Sequence, residues 1–552
     1  MKKRLFALLL CGALCLSMAA CGSGSEEPSQ AGASGAGASS GTASTAAGTP
    51  AKGGTLTVGL SAAPVSTNIW VQNDINSSII MNLVVPNTVY MDDTGTKYNY
   101  LVESAESNED STQWTIKLKD LTWNDGTPVT AEDLAFTVTY GTEHQIGFSD
   151  SYFGTVTEAE VVDDKTVVFH LSEPNVNFWN GGGHWIPIMP KAEFEGVDDP
   201  LNHTYSGMGY GPFYVDEWVD GQYVSLKRNE YFTQANDGQG AYLDGVLFRI
   251  YTDENSMVLA LENGEIDLCA NFISANSKTQ LAANSQNVLT DISSLGYGQI
   301  SFSQNNTQLQ DTAVRQALTM CIDREAMCAV GMAGAATPMP GPISPVYESF
   351  NTENIQEPAY DPAAARALLE ENGYADSDGD GILEKDGEKA AFTITYKASI
   401  QNVDNVMEIY RTSCQEAGIQ LDLEPVDPAT YTSKVNNAHD FDLSYNVWGS
   451  IDDVDTTLYT CYGIGQTLNF MDYNNEEMDQ LLKDMKATPS LEERTAMLNQ
   501  WQTLCVENLP FATTYVPVQT YAASTAKFDG FSAAYGNYGY LGCPQLCGVY
   551  AK

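Results

Sequence analysis

Three aspartates alternate with small residues in one short segment, a spacing that can bind a hard cation. Residues 376–384 read D-S-D-G-D-G-I-L-E, which begins like a calcium-binding loop. Carboxylates two residues apart can converge on one ion, but such a loop has a bidentate glutamate at its twelfth place, which here is Gly387. The sequence leaves open a bound calcium ion or a metal-free surface turn. The candidate ligands are Asp376, Asp378, Asp380 and Glu384.

The first 21 residues have the chemistry of export and lipid attachment. A basic stretch at 2–4 precedes an apolar run at 5–16, which is too short to cross a bilayer. Small residues then lead into Cys21, as in bacterial lipoproteins that are acylated on this cysteine. We therefore expect a signal peptide over 1–20 and a lipid, such as palmitate, on Cys21. The alternative is an ordinary secretory signal with an incidental cysteine.

The composition predicts an exported, tethered and acidic protein. Residues 21–51 are dominated by Gly, Ser, Ala and Thr without apolar periodicity, which is typical of a flexible linker. The net charge of −45 argues against a basic face that binds nucleic acid or anionic lipid. The predicted location is the extracytoplasmic face of the cell membrane, reached through the lipid anchor.

Cysteines and histidines indicate neither a disulfide scaffold nor a catalytic centre. The cysteines after Cys21 are too sparse for a disulfide-rich domain. Cys543 and Cys547 are the one close pair, and a local disulfide or two thiols are both left open. The five histidines lack zinc-ligand spacing, and no nucleophile elbow, P-loop or H-E-x-x-H occurs. We expect no enzyme activity, and a lipid-anchored hydrolase is the alternative.

Helix and strand patterns alternate along the folded part, which predicts an α/β fold. Asp311, Asp361 and Ser490 each begin a predicted helix at a favoured capping residue. Further predicted strands have the alternation or β-branched content of buried sheet. They cover 55–60, 166–171, 224–227, 246–251 and 392–396.

Four segments carry longer motifs, in this order along the chain: W-T-I-K-L-K-D-L-T-W-N-D-G-T-P-V-T-A-E-D at 114–133, G-Y-G-P-F-Y at 209–214 with R-N-E-Y at 228–231, L-E-N-G-E-I-D at 261–267, and D-T-A-V-R-Q-A-L-T-M-C-I-D-R-E at 311–325. Together they resemble the family 5 extracellular solute-binding proteins, the oligopeptide, dipeptide and nickel receptors of ABC importers. Within the first motif, an Asp-Gly turn and a capping box between Thr130 and Asp133 predict scaffold rather than ligand contact.

The resemblance implies a two-lobe periplasmic-binding-protein-like fold of type II, in its large three-domain variety, with a ligand cleft between the lobes. The first lobe, of two domains, would comprise 52–298 plus 507–552, and the second lobe 299–506. The protein would be a monomer that needs no cofactor, with calcium as the open alternative. The importer's permease and ATPase subunits would be separate chains.

The resemblance also points to a ligand loop. The sequence F-D-L-S-Y-N-V-W-G-S-I-D-D-V-D resembles the strand and W-x-x-D-type loop of peptide-binding members, whose aspartate pairs with the peptide's α-ammonium group. Here the third residue after Trp448 is Ile451, and the acids follow at Asp452, Asp453 and Asp455. Either one of these acids binds the ammonium group or all three form a solvated loop. Trp448 itself would line the pocket or fill the core.

Two further residues are candidates for ligand contact. Trp70 lies in the loop after the first predicted strand and could line the pocket. Lys397 ends a predicted strand of the second lobe, where it would meet a ligand carboxylate or lie on the surface.

The predicted function is that of a lipid-anchored binding protein that captures short peptides for an ABC importer. The alternatives within binding are a nickel or other metal chelate, or another small solute. A surface receptor that works without an importer is the alternative from a different class.

Overall fold

The computed structural model describes residues 50–552, apart from 72–73, 93–94, 147–148, 150–151, 348–349, 351–353, 450, 452–453, 537 and the side chains of 455 and 456. Cys21 lies outside the described residues, so its acylation stays a prediction. Within the described part of the chain, no helix has the length and apolarity needed to cross a bilayer.

The strands mix with helices throughout, as the α/β prediction requires. In chain order the strands are β1 (Thr55–Leu60), β2 (Val89–Met91), β3 (Lys97–Asn99), β4 (Val102–Ser107), β5 (Gln113–Leu118), β6 (Val156–Asp163), β7 (Thr166–Leu171), β8 (Phe213–Val219), β9 (Tyr223–Arg228), β10 (Gly245–Ile250), β11 (Leu268–Cys269), β12 (Asn287–Ser293), β13 (Gly298–Phe302), β14 (Ala336–Pro338), β15 (Glu384–Lys385), β16 (Glu388–Lys389), β17 (Ala391–Lys397), β18 (Gln420–Val426), β19 (Leu443–Val447), β20 (Phe511–Thr513), β21 (Tyr515–Ser524), β22 (Phe528–Asp529) and β23 (Tyr550–Ala551). The strands predicted from the sequence agree with these bounds within one residue.

The α-helices vary from single turns to five turns. In chain order they are α1 (Ile75–Val84), α2 (Ala131–Glu143), α3 (Phe178–Trp185), α4 (Lys191–Phe194), α5 (Glu254–Glu262), α6 (Ala275–Leu281), α7 (Thr312–Met320), α8 (Arg324–Ala326), α9 (Pro362–Glu371), α10 (Val403–Glu416), α11 (Pro428–Tyr431), α12 (Val454–Tyr462), α13 (Glu476–Ala487), α14 (Leu491–Asn508) and α15 (Cys543–Cys547). The predicted helix starts at Asp311, Asp361 and Ser490 are confirmed, because each side chain accepts a hydrogen bond from a first-turn N–H.

Two large sheets carry most of the described fold. The larger has eight strands in the order β12-β21-β11-β1-β10-β9-β8, with β14 also paired to β21. The second has five strands in the order β18-β17-β19-β13-β20, in which β17 runs parallel to β18 and β19. A four-stranded antiparallel sheet is ordered β4-β5-β7-β6.

The chain passes between the two large sheets close to the predicted lobe boundaries. Residues 294–297, here named the crossing segment, join β12 to β13, and Thr514 joins β20 to β21. The assignment of residues to two lobes stays a prediction.

The first family motif forms scaffold, as predicted. Gly126 has a φ of +90°, which the turn before α2 requires. Thr130 Oγ1 accepts from the backbone N–H of Asp133 at 3.4 Å, and Asp133 Oδ2 accepts from the N–H of Thr130 at 2.9 Å. This capping box fixes the start of α2.

The two glycines of the G-Y-G-P-F-Y motif let the chain lie directly on the end of α1. A Cβ at Gly209 would come within 2.3 Å of the carbonyl oxygen of Val84, and one at Gly211 within 2.4 Å of that of Leu83. The motif therefore sets the position of α1, whose first turn reaches the site described below.

The arginines of the fourth motif are structural. Arg315 is buried and donates to the carbonyl oxygens of Leu309 and Leu509 at 2.6 and 2.9 Å. Arg324 is buried with Glu357 as its ion-pair partner, and Glu357 also accepts from the N–H of Thr513. These bonds tie the helical layer to the five-stranded sheet.

The cysteines of the described residues are buried free thiols. Cys543 and Cys547 are among them, so the structure shows two thiols rather than the alternative local disulfide.

Candidate functional site

A cavity of about 810 Å³, here named the aromatic cavity, lies beside the crossing segment and the first turn of α1. Its walls combine rings with glycines of the C-terminal stretch, and Ser294 and Leu295 of the crossing segment also contribute. Its larger side chains include Trp70, Tyr90, Trp185, Ile186, Tyr535 and Tyr538. Such walls suit a ligand with apolar groups.

Trp70 lines this cavity, as the sequence suggested. It belongs to a 3-10 turn, Ile69–Val71, whose entry is fixed by Asn68. The Asn68 side chain accepts from the N–H of Trp70 at 3.0 Å and donates to the carbonyl oxygen of Pro200 at 2.7 Å. The Trp70 ring packs 6.0 Å from that of Tyr140, so it is a rigid part of the wall.

Trp448 is partly buried and lies behind the cavity wall rather than in it. Its Nε1–H donates to Gln299 Oε1 at 3.0 Å, and the hydroxyl of Tyr462 donates to the same oxygen at 2.6 Å. Trp448 itself does not line the aromatic cavity, whereas the next residue, Gly449, does. A contact between Trp448 and a ligand stays a prediction.

The loop that begins at Trp448 lies directly against the crossing segment. The N–H of Trp448 donates to the carbonyl oxygen of Tyr297 at 2.9 Å. A Cβ at Gly296 would be 1.8 Å from the carbonyl oxygen of Trp448, so only glycine fits this contact. Any movement of the crossing segment must therefore also displace this loop.

The acidic part of that loop is only partly described. Asp452 and Asp453 lie outside the described residues, and Asp455 lies in α12, with its side chain outside the description. Ile451 is buried, and its carbonyl oxygen accepts from the hydroxyl of Tyr347. A bond between one of the acids and a ligand ammonium group stays a prediction.

Lys397 does not line the aromatic cavity. Its ammonium group donates to Asn446 Oδ1 at 3.3 Å and lies 4.8 Å from the centre of the Tyr431 ring. Burial lowers the pKa of Lys397. The residue ends β17 at the same edge of the five-stranded sheet as Trp448, and its contact with a ligand carboxylate stays a prediction.

The predicted calcium loop brings three of its four candidate ligands together. Oxygens of Asp376, Asp378 and Asp380 lie within 4.8 Å of one another, and Glu384 is not part of this cluster of described residues. The Lys389 ammonium group already donates to Asp378 Oδ2 at 3.0 Å and to Asp380. A hydrogen bond from Lys389 lowers the pKa of Asp380. Because its ammonium group lies against both carboxylates, the lysine occupies part of the space that a cation would use.

A second cavity of about 550 Å³, here named the polar cavity, lies against the five-stranded sheet. Several of its charged side chains already bond within the protein: Glu424 accepts from Thr395 and Lys434, and His439 bonds with Asp472 at 2.8 Å. Of the predicted ligand contacts that the structure describes, none lines it.

The sequence analysis missed much of the aromatic cavity. Tyr90 and Trp185 come from separate elements, and no short motif links them. Tyr535, Tyr538 and Gly542 belong to a C-terminal stretch in which aromatic residues alternate with glycines. That alternation was a usable signal, because flexible tails seldom contain many rings.

Comparison with known proteins identifies relatives along most of the chain. Residues 98–469 match the bacterial extracellular solute-binding proteins, family 5 (middle region). The oligopeptide-binding protein AppA of Bacillus subtilis is 26% identical over 497 residues, which cover 88% of this chain and 90% of AppA.

Solved structures resemble the fold at low identity. AppA from Bacillus subtilis in complex with a nonapeptide has a TM-score of 0.72 and 24% identity, covering 91% of this chain and 100% of that one. NikZ from Campylobacter jejuni in complex with Ni(L-His) has a TM-score of 0.72 and 21% identity, covering 90% and 99%. At such identities these likenesses show the fold alone.

Proposed function

The chain belongs to the bacterial extracellular solute-binding proteins of family 5, and on that premise we propose that it captures short peptides for an ABC importer. Both the family and the periplasmic-binding-protein-like fold were predicted from the sequence and are confirmed. The family consists of solute-binding proteins, and the proposal includes no reaction.

The aromatic cavity is the observation that carries this proposal. About 810 Å³ lies within the range of cavities that bind small ligands. Its rings suit apolar side chains, and its glycines let a ligand backbone approach the chain closely. Peptides combine both features, and AppA, the relative named above, is an oligopeptide-binding protein.

Capture requires that ligand contacts favour one arrangement of the two lobes. Ligand that touches the first-lobe wall and the loop after Trp448 would stabilise the closed arrangement by its differential affinity. Because that loop lies against the crossing segment at Gly296, its contacts are linked to the passage between the sheets. The importer would recognise the closed form.

One of Asp452, Asp453 and Asp455 would bind the peptide's ammonium group. A desolvated ammonium group needs a carboxylate partner, and these acids follow directly on the cavity residue Gly449. Single changes of each aspartate to asparagine test this: one of the three should weaken binding of a peptide much more than binding of its N-acetylated form.

The lipid anchor is the second part of the proposal. Acylated Cys21 and the linker to residue 51 would keep a monomeric capture domain near separate permease and ATPase subunits in the same membrane. Cys21→Ser should abolish acylation and release the protein into the medium. Unchanged membrane retention of this variant would contradict the anchor.

Native mass spectrometry of ligand copurified with the protein is the direct test of the peptide assignment. A peptide at one hundred times its dissociation constant should stabilise the fold by about 2.7 kcal/mol and raise the melting temperature. A broad peptide library is compared with a nickel–histidine chelate as the control arm. A shift with the chelate and none with the library would overturn the peptide assignment.

A further inference from the structure

The aromatic cavity has a one-sided charge balance. Among its described lining residues none is Lys or Arg, and Asp74 is the one carboxylate. His184 also lines it, with Nδ1 3.2 Å from the carbonyl oxygen of Val89, which can only accept, so Nδ1 carries a proton. The other polar groups of the described wall are amides, hydroxyls and the indole N–H groups of Trp70 and Trp185.

The undescribed neighbours of the lining residues along the chain add acids rather than bases. No Lys, Arg or His occurs in the sequence at 72–73, 147–148, 150–151, 450, 452–453 and 537. Three of these residues are acidic, namely Asp150, Asp452 and Asp453. The charge balance therefore does not depend on which of these residues face the cavity.

His184 is the one potentially cationic group of the described wall, and no lysine or arginine there can pair with an enclosed carboxylate. Removing it from water is costly unless a cation or several donors replace the lost hydration, and Asp74 adds repulsion. A carboxamide carries no charge and can bond to the side-chain amides of Gln145, Gln519 and Gln545, which line the cavity. The walls thus favour an uncharged group over an anion of nearly the same shape.

The size of the cavity decides where a peptide's C-terminus would lie. Three extended residues span at most about 10 to 11 Å, which is comparable with the width of a cavity of about 810 Å³. A tripeptide would therefore fit inside the cavity together with its C-terminal group, whereas a longer peptide could leave that group outside.

We propose that the aromatic cavity encloses apolar peptide segments that carry no carboxylate, and that it rejects the free C-terminus of a tripeptide. This inference rests on the proposed peptide function. It names a ligand class, namely short apolar peptides whose C-terminus is blocked.

The test uses the full chain and two pools of tripeptides made from Ala, Val, Leu, Phe and Tyr. One pool has free acids and the other has C-terminal amides of the same sequences. Both compete at equal concentration, and native mass spectrometry counts the bound members. We expect at least a ten-fold excess of amides, whereas equal capture or an excess of acids would overturn the inference.

A third pool of free-acid nonapeptides separates the two proposals. If neither tripeptide pool is captured while the nonapeptides are, the inference is wrong and the peptide function stands. If no pool is captured, the peptide function fails and the inference fails with it.

Two variants test the electrostatic cause. Gln519→Lys places a cation in the cavity wall and should reduce the amide preference at least five-fold, whereas Gln420→Lys adds the same charge at an exposed site of β18 and should leave it unchanged. Asp74→Asn keeps an oxygen to cap α1 but removes the acid, and should reduce the preference less. An amide preference that Gln519→Lys does not reduce would contradict the electrostatic cause.

If the test shows a preference for free acids, Lys397 is the residue that would explain it. If free acids are preferred and Lys397→Met removes that preference, this lysine reaches the ligand carboxylate on closure, as the sequence suggested. The inference drawn from the cavity wall would then be wrong.

Discussion

The aromatic cavity is walled by rings and glycines, whereas several charged side chains of the polar cavity already bond to other groups of the protein. In the polar cavity Asp442 accepts from Asn306 at 2.8 Å and from the N–H of Thr393 at 3.0 Å. Glu424 and His439 have partners of their own. In the aromatic cavity the large rings offer contact area that nothing in the described chain fills.

This difference supports the aromatic cavity, rather than the polar one, as the ligand site of the proposed function. A paired charge gains little from a ligand, because a new partner must displace an existing hydrogen bond. An apolar wall gains whenever water leaves it, at roughly 25 cal/mol for each Å² buried. Abundance of polar groups is therefore a weaker sign of function here than a lining of rings beside a passage between sheets.

The largest expected effect comes from filling the contact between the crossing segment and the loop after Trp448. In Gly296→Ala the new Cβ would be 1.8 Å from a backbone oxygen, which no change of rotamer can relieve. We expect a loss of about 3 kcal/mol in the free energy of unfolding and loss of ligand binding. Urea unfolding and calorimetric titration measure the two effects.

Gly449→Ala is the matched control for this change. Gly449 faces the same junction, but a Cβ there would meet no described atom within 4 Å. The free energy of unfolding should therefore stay within about 0.5 kcal/mol of the original. If both alanine variants lost the same stability, the close contact at Gly296 would not be the cause.

The next largest effect comes from removing the acceptor that holds Trp448. Gln299→Leu removes the acceptor of the partly buried Nε1–H of Trp448 and of the buried hydroxyl of Tyr462, which together costs about 2 kcal/mol. Because the loop after Trp448 borders the aromatic cavity, ligand affinity should fall by about ten-fold. A red shift of tryptophan fluorescence would report the loosened indole.

Ser301→Ala separates this role from general packing near Gln299. Ser301 Oγ accepts from Gln299 Nε2 at 2.8 Å and does not contact the tryptophan bond. Fluorescence and affinity should change much less than in Gln299→Leu. Equal losses in the two variants would mean that Trp448 is not positioned through Gln299.

The sequence predicted scaffold better than site, for a physical reason. Caps and turns such as Thr130 with Asp133 are local, so the residues that make them are visible within a few positions. The aromatic cavity joins residues as distant as Trp70 and Tyr538, whose proximity depends on sheet topology. The role of Gln299 could not be predicted from the sequence for the same reason, because its partner Trp448 is 149 residues away in the chain.

A smaller effect is expected in the polar cavity, and it should depend on pH. Burial tends to raise the pKa of Glu424, but hydrogen bonds from Lys434 and Thr395 outweigh burial and hold this pKa below its usual value. A lowered pKa stabilises the folded state above the unfolded pKa of about 4.3, and this contribution is lost as the pH falls through the folded value. Glu424→Gln should therefore lower the free energy of unfolding at pH 7 by less than about 1 kcal/mol.

The difference between Glu424→Gln and the original protein should shrink as the pH falls below about 4.3 and through the lower folded pKa of Glu424. Ligand binding at pH 7 should be unchanged, because Glu424 is already paired within the scaffold and does not line the aromatic cavity. Unfolding measured across pH, together with titration of a bound peptide, tests both statements. A large loss of affinity would reverse the distinction between the two cavities.

The smallest effect is expected at the acidic loop, which adjoins the polar cavity through β16. Calcium must displace the Lys389 ammonium group from Asp378 and Asp380, and no glutamate stands at the twelfth place of the loop. At about 1 mM calcium, where weak extracellular modules bind, the melting temperature should change by less than about 1 °C. Lys389→Met removes the competing cation and should enlarge the response, while Lys389→Met combined with Asp376→Asn should abolish it. A clear calcium response of the unaltered protein would show that acids already paired within the chain can still form a site. The rule that paired charges gain little from a ligand would then not hold for cations.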